Sequence, residues 1–206
     1  MVTIEQLFRQ AQQAGAAEIY LMAGRKPAAR IGGKIKNLDY PELSSTEAEK
    51  ILLEMLDAKQ AAQYRETKSV DEMIAFHGIG RFRVHIYQND GVPSACVKII
   101  NKKEGLPEEL KALAGITQGL VLVCGKPHSG KSATLAALAE QMLAGRFMHL
   151  VTLESPVEYP IEAGKGLLSR RCIGKDTGSY KEGMDNLLHE SADGVLILSL
   201  IHISEP

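Results

Sequence analysis

The sequence predicts an α/β protein with a strand-rich α+β N-terminal part and a C-terminal part in which strands and helices alternate. Residues 81–88 alternate polar side chains with Phe82, Val84 and Ile86, the period-two pattern of a half-buried strand. Residues 119–124, Gly-Leu-Val-Leu-Val-Cys, form a continuous apolar run, typical of a strand buried on both faces of a parallel sheet. A charged segment ending in Gly and Pro, residues 101–107, separates the two patterns and predicts a linker.

The N-terminal part is predicted to combine three helices with a small sheet. Thr3 with Gln6, and Ser44 with Glu47, form capping boxes that predict helices over residues 3–14 and from Ser44 onward, and a third helix covers residues 59–66. Short apolar or alternating runs predict strands at residues 18–22, 27–31, 34–37, 70–76, 81–88 and 93–100.

The C-terminal part is predicted to alternate strand and helix. In order, the predicted elements are a short helix near 108–114, a strand at 119–124, a helix at 131–144, strands at 149–153 and 167–172, a helix at 179–190 and an apolar run from Val195. This order indicates a mononucleotide-binding α/β domain, because parallel strands need helical crossovers between them.

The composition excludes several classes of protein. The 206 residues are 45% hydrophobic and 24% charged, which is enough for a core and argues against long disorder. Lys plus Arg number 24 and Asp plus Glu 25, so net charge gives no reason to expect nucleic-acid or anionic-lipid binding. Three widely spaced cysteines fit neither a disulfide framework nor a metal site. The sequence shows no signal-peptide pattern, and the longest apolar run, residues 195–201, is too short to span a bilayer.

Residues 125–132, Gly-Lys-Pro-His-Ser-Gly-Lys-Ser, fit the phosphate-loop pattern G-x-x-x-x-G-K-[ST]. Gly125 and Gly130 allow successive backbone amides to point into one concavity at a helix N-terminus. Lys131 is expected to reach the β- and γ-phosphates of ATP, and the Ser132 hydroxyl to ligate Mg²⁺. A glycine turn with an incidental lysine is the alternative. The predicted cofactor-binding residues are Gly125, Lys126, Pro127, His128, Ser129, Gly130, Lys131, Ser132 and Ala133, with His128 as a solvent-side spacer.

Five stretches carry a family resemblance, and they occur in one order over nearly the whole chain. They are IEQLFRQAQQAGAAEIYL, GIGRFRVHIYQND, GLVLVCGKPHSGKSATLAAL, HLVTLESPVEYP and LLSRRCIGKDTGSYKEGMDNLL. Together they resemble the secretion-type hexameric ATPases, most closely the type IV pilus retraction (PilT-type) branch. The resemblance implies a PAS-like α+β domain over residues 1–100, a linker over 101–116, and a partial RecA-like P-loop NTPase domain over 117–206.

The same resemblance implies partners and a location. It implies a homo-hexamer that binds ATP and Mg²⁺ and drives the removal of pilin from the fibre base. Such a motor would be cytoplasmic, at the inner face of the cell membrane, and would bind a pilus inner-membrane platform protein. Its association with the membrane would be peripheral and through partners only, with no nucleic acid bound.

Candidate catalytic residues also follow from the resemblance. Glu154 and Glu158 occupy acidic positions of the family's Asp box, where a carboxylate can hold a metal or polarise the attacking water, and Glu154 joins Ser132 as a predicted metal ligand. Arg81 and Arg83 match arginines that in the family face a neighbouring subunit's nucleotide. The alternatives are solvated strand ends for the two glutamates and an exposed strand face for the two arginines.

The sequence departs from the family pattern in two places. Ser155 stands where the Asp box has an aspartate, and Ser199 stands where a general-base glutamate should follow the Walker B strand; the next acid is Glu205. We therefore interpret the chain as a truncated frame whose last eight residues are foreign, and we expect it to be inactive as an ATPase on its own. Arg170 and Arg171 have no assigned role and are interpreted as surface residues.

Three functions stay open from the sequence. The first is a motor ATPase subunit that powers type IV pilus retraction and twitching motility. The second is a nucleotide-binding but non-hydrolysing subunit or regulator of a type II/IV secretion-type assembly, which Ser155 and Ser199 motivate. The third is a RecA-like nucleic-acid translocase, which the near-neutral charge disfavours.

Overall fold

The structure, a computed structural model, describes residues 3–101, 105–126 and 129–198. Contacts between Cα atoms divide the chain into two units, residues 1–101 and residues 102–206. The division falls at the charged segment, residues 101–107, that the sequence analysis predicts as a linker.

Side-chain caps set the start of every helix in the first unit. Thr3, Ser44 and Asp57 each accept a hydrogen bond from the third amide of a helix, and the side chain of that third residue reaches back to the capping amide. The capping boxes predicted at Thr3 and Ser44 are confirmed, and Asp57 adds one that the sequence analysis missed. These helices are α1 (Ile4–Gln13), α2 (Ser45–Leu53) and α3 (Ala58–Thr67).

Six antiparallel strands form the sheet of the first unit, in the order β3-β2-β1-β6-β5-β4. Phe82 on β5 points into the core, where its ring centroid lies 4.4 Å from that of Phe8 on α1. Arg81 and Arg83 flank Phe82 and therefore lie on the opposite face, as the period-two pattern predicted. The strands are β1 (Ala16–Leu21), β2 (Ala28–Ile31), β3 (Lys34–Asn37), β4 (Ser69–Phe76), β5 (Gly80–Asn89) and β6 (Val92–Ile100).

A parallel three-stranded sheet organises the second unit, in the order β8-β7-β9. Its elements are α4 (Glu108–Lys111), a 3₁₀ turn (Ala112–Gly115), α5 (Lys131–Gly145), β7 (His149–Glu154), β8 (Leu167–Cys172), α6 (Tyr180–Leu187) and β9 (Gly194–Ile197). Leu150 of β7 packs against Leu143 of α5 on one face of the sheet. On the other face, Gly183 of α6 lies so close to Leu153 that an added Cβ would approach its methyl groups to 2.9 Å. None of the helices in the described ranges is both long and apolar enough to cross a bilayer.

Residues 119–124 do not form the strand that their apolar run predicted. Leu120 is 81% exposed and Leu122 is 61% exposed. Among the described residues no strand pairs with this segment, and an apolar groove of about 190 Å³ separates it from the edge strand β9. Because a strand is held by the hydrogen bonds of its neighbour, an apolar run without a paired neighbour stays irregular.

Candidate functional site

The glycine-rich loop leads directly into α5. Gly130 precedes the helix with φ of +89°, in the left-handed region that favours glycine, and its carbonyl accepts the amide of Thr134 at 2.8 Å. The predicted positions Pro127 and His128 lie outside the described residues. Ser129 closes the loop by donating its amide to the Lys126 carbonyl at 3.3 Å. The loop therefore turns the chain onto the N-terminus of a fifteen-residue helix, where backbone amides favour an anion.

The ammonium group of Lys131 lies across this loop. It donates hydrogen bonds to the carbonyl oxygens of Gly125 at 3.0 Å and Lys126 at 2.9 Å. Ser132 and Ala133 follow Lys131 in the first turn of α5. Two backbone carbonyls thus hold a cation beside the helix N-terminus, where an incoming polyphosphate would meet it.

Gly125 allows the two arms of the loop to approach closely. A Cβ atom added there would lie 2.6 Å from the Ser129 hydroxyl oxygen, so a side chain would require that hydroxyl to move. The absence of a side chain at 125 therefore leaves room for the Ser129 hydroxyl inside the loop.

Glu154 ends β7 and is completely buried. Its Oε1 atom accepts hydrogen bonds from Thr152 Oγ1 at 2.7 Å and from Arg170 Nε and Nη2 at 2.9 and 2.6 Å. Its Oε2 atom is also shielded from solvent and has no hydrogen-bond partner. Burial excludes the alternative of a solvated strand-end acid for Glu154.

Arg170 is the site residue that the sequence analysis missed. It was interpreted as a surface residue, whereas its side chain is 21% exposed and forms an ion pair with Glu154. Arg171 was also interpreted as a surface residue, but its guanidinium pairs with the carboxylate of Glu190. Consecutive strand residues point to opposite faces, so the two arginines serve different faces of the sheet. Only the register of β8 against β7, which places Arg170 beside Thr152, reveals the first pair.

The buried carboxylate and the phosphate loop lie at the same end of the parallel sheet. Leu143 of α5 and the carbonyl of Met148 both lie within 2.8 Å of the position that a Cβ on Gly166 would occupy. The two residues therefore lie at the same height along the direction of the strands. Lys131 lies about 18 Å along α5 from that level. Glu154 lies about 20 Å beyond the same level along the strand direction. Because the connection from α5 to β7 is short, the helix and the strand are antiparallel. The N-terminus of α5 and the C-terminus of β7 therefore lie at the same end of the sheet.

Alternation also places Glu154 on the face that α5 covers. Leu150 packs against α5, and Thr152 and Glu154 follow it at two-residue steps on the same face of β7. Glu154 therefore lies on the face of the sheet that α5 covers, at the end where α5 begins.

The second glutamate, Glu158, lies in the irregular segment after β7 and is 5% exposed. Burial excludes a solvated position for it too. The pKa of the neighbouring Tyr159 hydroxyl is raised above its ordinary value, first by burial and then by the charge of Glu158. Ser155, by contrast, is exposed immediately after β7.

The two candidate arginines belong to the first unit. Arg83 pairs with Asp71 across β5 and β4, with Nη2 2.6 Å from Oδ2 and Nε 3.0 Å from Oδ1. Arg81 lies on the same face of the sheet, opposite Ala75. The loop and both glutamates belong to the second unit, and Ser199 lies outside the described residues.

Comparison with known proteins adds relationships of sequence and fold. No protein-family model matches the chain. It is 30% identical over 203 residues to the type IV pilus retraction ATPase PilT of Pseudomonas aeruginosa, covering 94% of this chain and 58% of that protein. It is 27% identical over 199 residues to the type IV pilus ATPase PilU of the same organism, covering 94% of this chain and 52% of that protein.

A solved structure agrees with these relationships. A crystal structure of the pilus retraction motor PilT with bound ADP matches with a TM-score of 0.81 at 31% identity, over 96% of this chain and 60% of that one. The chain thus spans a little over half the length of each of these relatives.

Proposed function

We propose, because the chain is related over nearly its whole length to the PilT-type ATPases of the secretion superfamily, that it is a nucleotide-binding subunit of a motor ATPase that acts on type IV pili. The observation that carries the proposal is the glycine-rich loop at the N-terminus of α5, with the Lys131 ammonium held across it. That arrangement suits a polyphosphate, because a helix N-terminus and a lysine both favour negative charge.

The domain assignment belongs to the same proposal. We assign a PAS-like domain to residues 1–100, a linker to 101–116 and a partial RecA-like domain to 117–206. The antiparallel sheet with helices packed on one face supports the first assignment. The parallel sheet, with a phosphate loop before a helix that covers it, supports the last.

Within the second unit, the loop amides and Lys131 bind the phosphates of ATP, and Ser132 and Glu154 hold Mg²⁺. The Oε2 atom of Glu154 fits this role because it is a buried carboxylate oxygen without a hydrogen-bond partner, and carboxylates are the ligands that Mg²⁺ prefers. When bound, the ion would neutralise charge on the phosphates. Among the described residues no cluster of three or more His, Cys, Asp or Glu side chains forms a metal site by itself, so nucleotide and water would supply the other ligands.

The remaining candidates take roles that need a second subunit or a water molecule. Glu158 orients water near the γ-phosphate, and Arg81 and Arg83 stabilise phosphate charge in a neighbouring subunit of a hexamer. For Arg83 this role requires the side chain to exchange Asp71 for phosphate. The pilus platform protein of the inner membrane is the proposed partner of the assembled ring.

A second candidate function is a nucleotide-binding subunit that does not hydrolyse ATP. Ser155 favours it, because an exposed hydroxyl follows Glu154 at the position where the resemblance to the family implies an aspartate. Titration of a fluorescent ATP analogue tests the shared step of both functions, and phosphate release by a chain extended to the length of its relatives separates them. Saturable binding that Lys131→Ala abolishes supports nucleotide binding, whereas equal binding by both proteins refutes it.

A further inference from the structure

The hydrogen bonds of Glu154 are distributed unevenly between its two oxygens. Oε1 accepts three, two of them from the guanidinium of Arg170 and one from the hydroxyl of Thr152. Oε2 accepts none, although it is equally shielded from solvent. A buried carboxylate oxygen without a partner is costly, so this arrangement indicates a site prepared for a ligand that supplies the missing contact.

We propose that Arg170 is a positioning residue, which holds Oε1 of Glu154 so that Oε2 stays directed toward a nucleotide-bound divalent cation. The proposal rests on the function proposed above, because it concerns the same phosphate site. Arg170 itself does not touch the nucleotide in this scheme. It acts through the orientation of Glu154.

The geometry explains why an arginine suits this position. Two donors of one planar guanidinium and the hydroxyl of Thr152 all meet Oε1, so they hold that oxygen in place and leave Oε2 for another ligand. The charge of Arg170 also compensates the buried charge of Glu154. Without Arg170, the carboxylate could rotate about its side chain. That rotation would remove a fixed oxygen from the end of the sheet where α5 begins.

The chain contains a matched control beside the proposed positioning residue. Arg171 follows Arg170 on β8, has similar exposure at 27% against 21%, and pairs with Glu190. Because consecutive strand residues face opposite ways, Arg171→Gln breaks an ion pair with a more exposed glutamate on the face away from α5. It therefore controls for the loss of an arginine from β8 without reaching the phosphate site.

The test measures how much Mg²⁺ the protein needs to bind nucleotide. A fluorescent ATP analogue is titrated into the full chain at a series of Mg²⁺ concentrations, and the half-saturating Mg²⁺ concentration is recorded. Arg170→Gln should raise it by about 10- to 100-fold, the usual effect of losing a partner that orients a metal ligand. Glu154→Gln, which removes the proposed ligand itself, should raise it at least as much. The double variant should show no further increase, and Arg171→Gln should leave the value unchanged.

Arg170→Lys keeps the proposal testable if Arg170→Gln does not fold. The lysine retains the charge but offers a point donor in place of the planar guanidinium, so the half-saturating Mg²⁺ concentration should still rise. A value equal to that of the parent chain would overturn the proposal, since compensation of charge would then suffice. An unchanged or lower value for Arg170→Gln, or an equal rise for Arg171→Gln, would overturn it as well.

Failure of the proposed function gives a different result. If the parent chain binds no nucleotide, or Lys131→Ala binds as well as the parent, the phosphate site itself is wrong. If binding is normal and depends on Lys131, but Arg170 has no effect on the Mg²⁺ requirement, only the role of Arg170 is wrong.

Discussion

Replacing Lys131 with alanine tests the phosphate loop most directly. The ammonium group now donates to the carbonyls of Gly125 and Lys126, both in an exposed loop. In a nucleotide complex it would exchange these neutral acceptors for charged phosphate oxygens. The substitution should therefore weaken nucleotide binding strongly and change the stability of the fold little.

The size of both effects follows from the contacts. Each hydrogen bond between a charged donor and a phosphate contributes about 1.5–3 kcal/mol, and part of this is offset by the two carbonyl bonds given up. A net loss of about 2–4 kcal/mol corresponds to roughly 30- to 1000-fold weaker binding. Loss of two bonds to exposed carbonyls should change the free energy of unfolding by less than about 0.5 kcal/mol.

Isothermal titration with ATP, ADP and AMP, each with Mg²⁺, measures the effect on binding. Because Lys131 is expected to contact the outer phosphates, the loss should be large for ATP and ADP and small for AMP. Lys181→Ala removes an exposed lysine from α6 and is the matched control for charge. Equal losses for all three nucleotides, or equal affinities in the Lys131 and Lys181 variants, would refute the reasoning.

Three further predictions test the phosphate loop, the core and a half-buried thiol. Gly130→Ala places a side chain at φ of +89°, so urea unfolding should show a loss of about 1–2 kcal/mol, and nucleotide affinity should fall; an unchanged midpoint contradicts the strain argument. Leu143→Ala opens a cavity between α5 and the parallel sheet and should lower the free energy of unfolding by about 3 kcal/mol in the same assay, whereas a loss below about 1 kcal/mol would mean that the site collapses freely. Burial, and then the charge of Glu18, raise the pKa of the Cys96 thiol above its ordinary value, so less of it is thiolate at pH 8. Iodoacetamide should therefore label the exposed Cys124 before Cys96, and the rate of labelling of Cys96 should increase as the pH rises. Peptide mass spectrometry can follow both sites, and labelling of Cys96 before Cys124 would contradict this prediction.

Features that depend on neighbouring residues in the chain could be predicted from the sequence. The capping boxes at Thr3 and Ser44 need only residues three apart, and the structure confirms them. The alternation around Phe82 needs only the two-residue period of a strand, and it placed the arginines of β5 on the outer face. The phosphate-loop pattern likewise lies in eight consecutive residues and the helix that they begin.

Features that depend on distant partners could not be predicted in the same way. The run 119–124 has the composition of a buried strand, but a strand also requires a neighbour, which the described residues do not provide. The contact between Glu154 and Arg170 joins residues sixteen positions apart on two parallel strands. Its existence depends on the register of those strands, and a shift by one residue would have put Arg171 beside Glu154 instead.

The contacts of Arg170 and Arg171 differ because successive side chains of a strand point to opposite faces of the sheet. Both are cations on β8, and composition alone treats them alike. Arg170 faces the side of α5, where a buried carboxylate ends β7, whereas Arg171 faces the side of α6 and pairs with Glu190 after that helix. The register of β8 against β7 thus gives Glu154 and Glu190 each an arginine partner, on opposite faces of the sheet. It leaves one carboxylate oxygen, Oε2 of Glu154, without a partner at the end of the sheet where the phosphate loop lies.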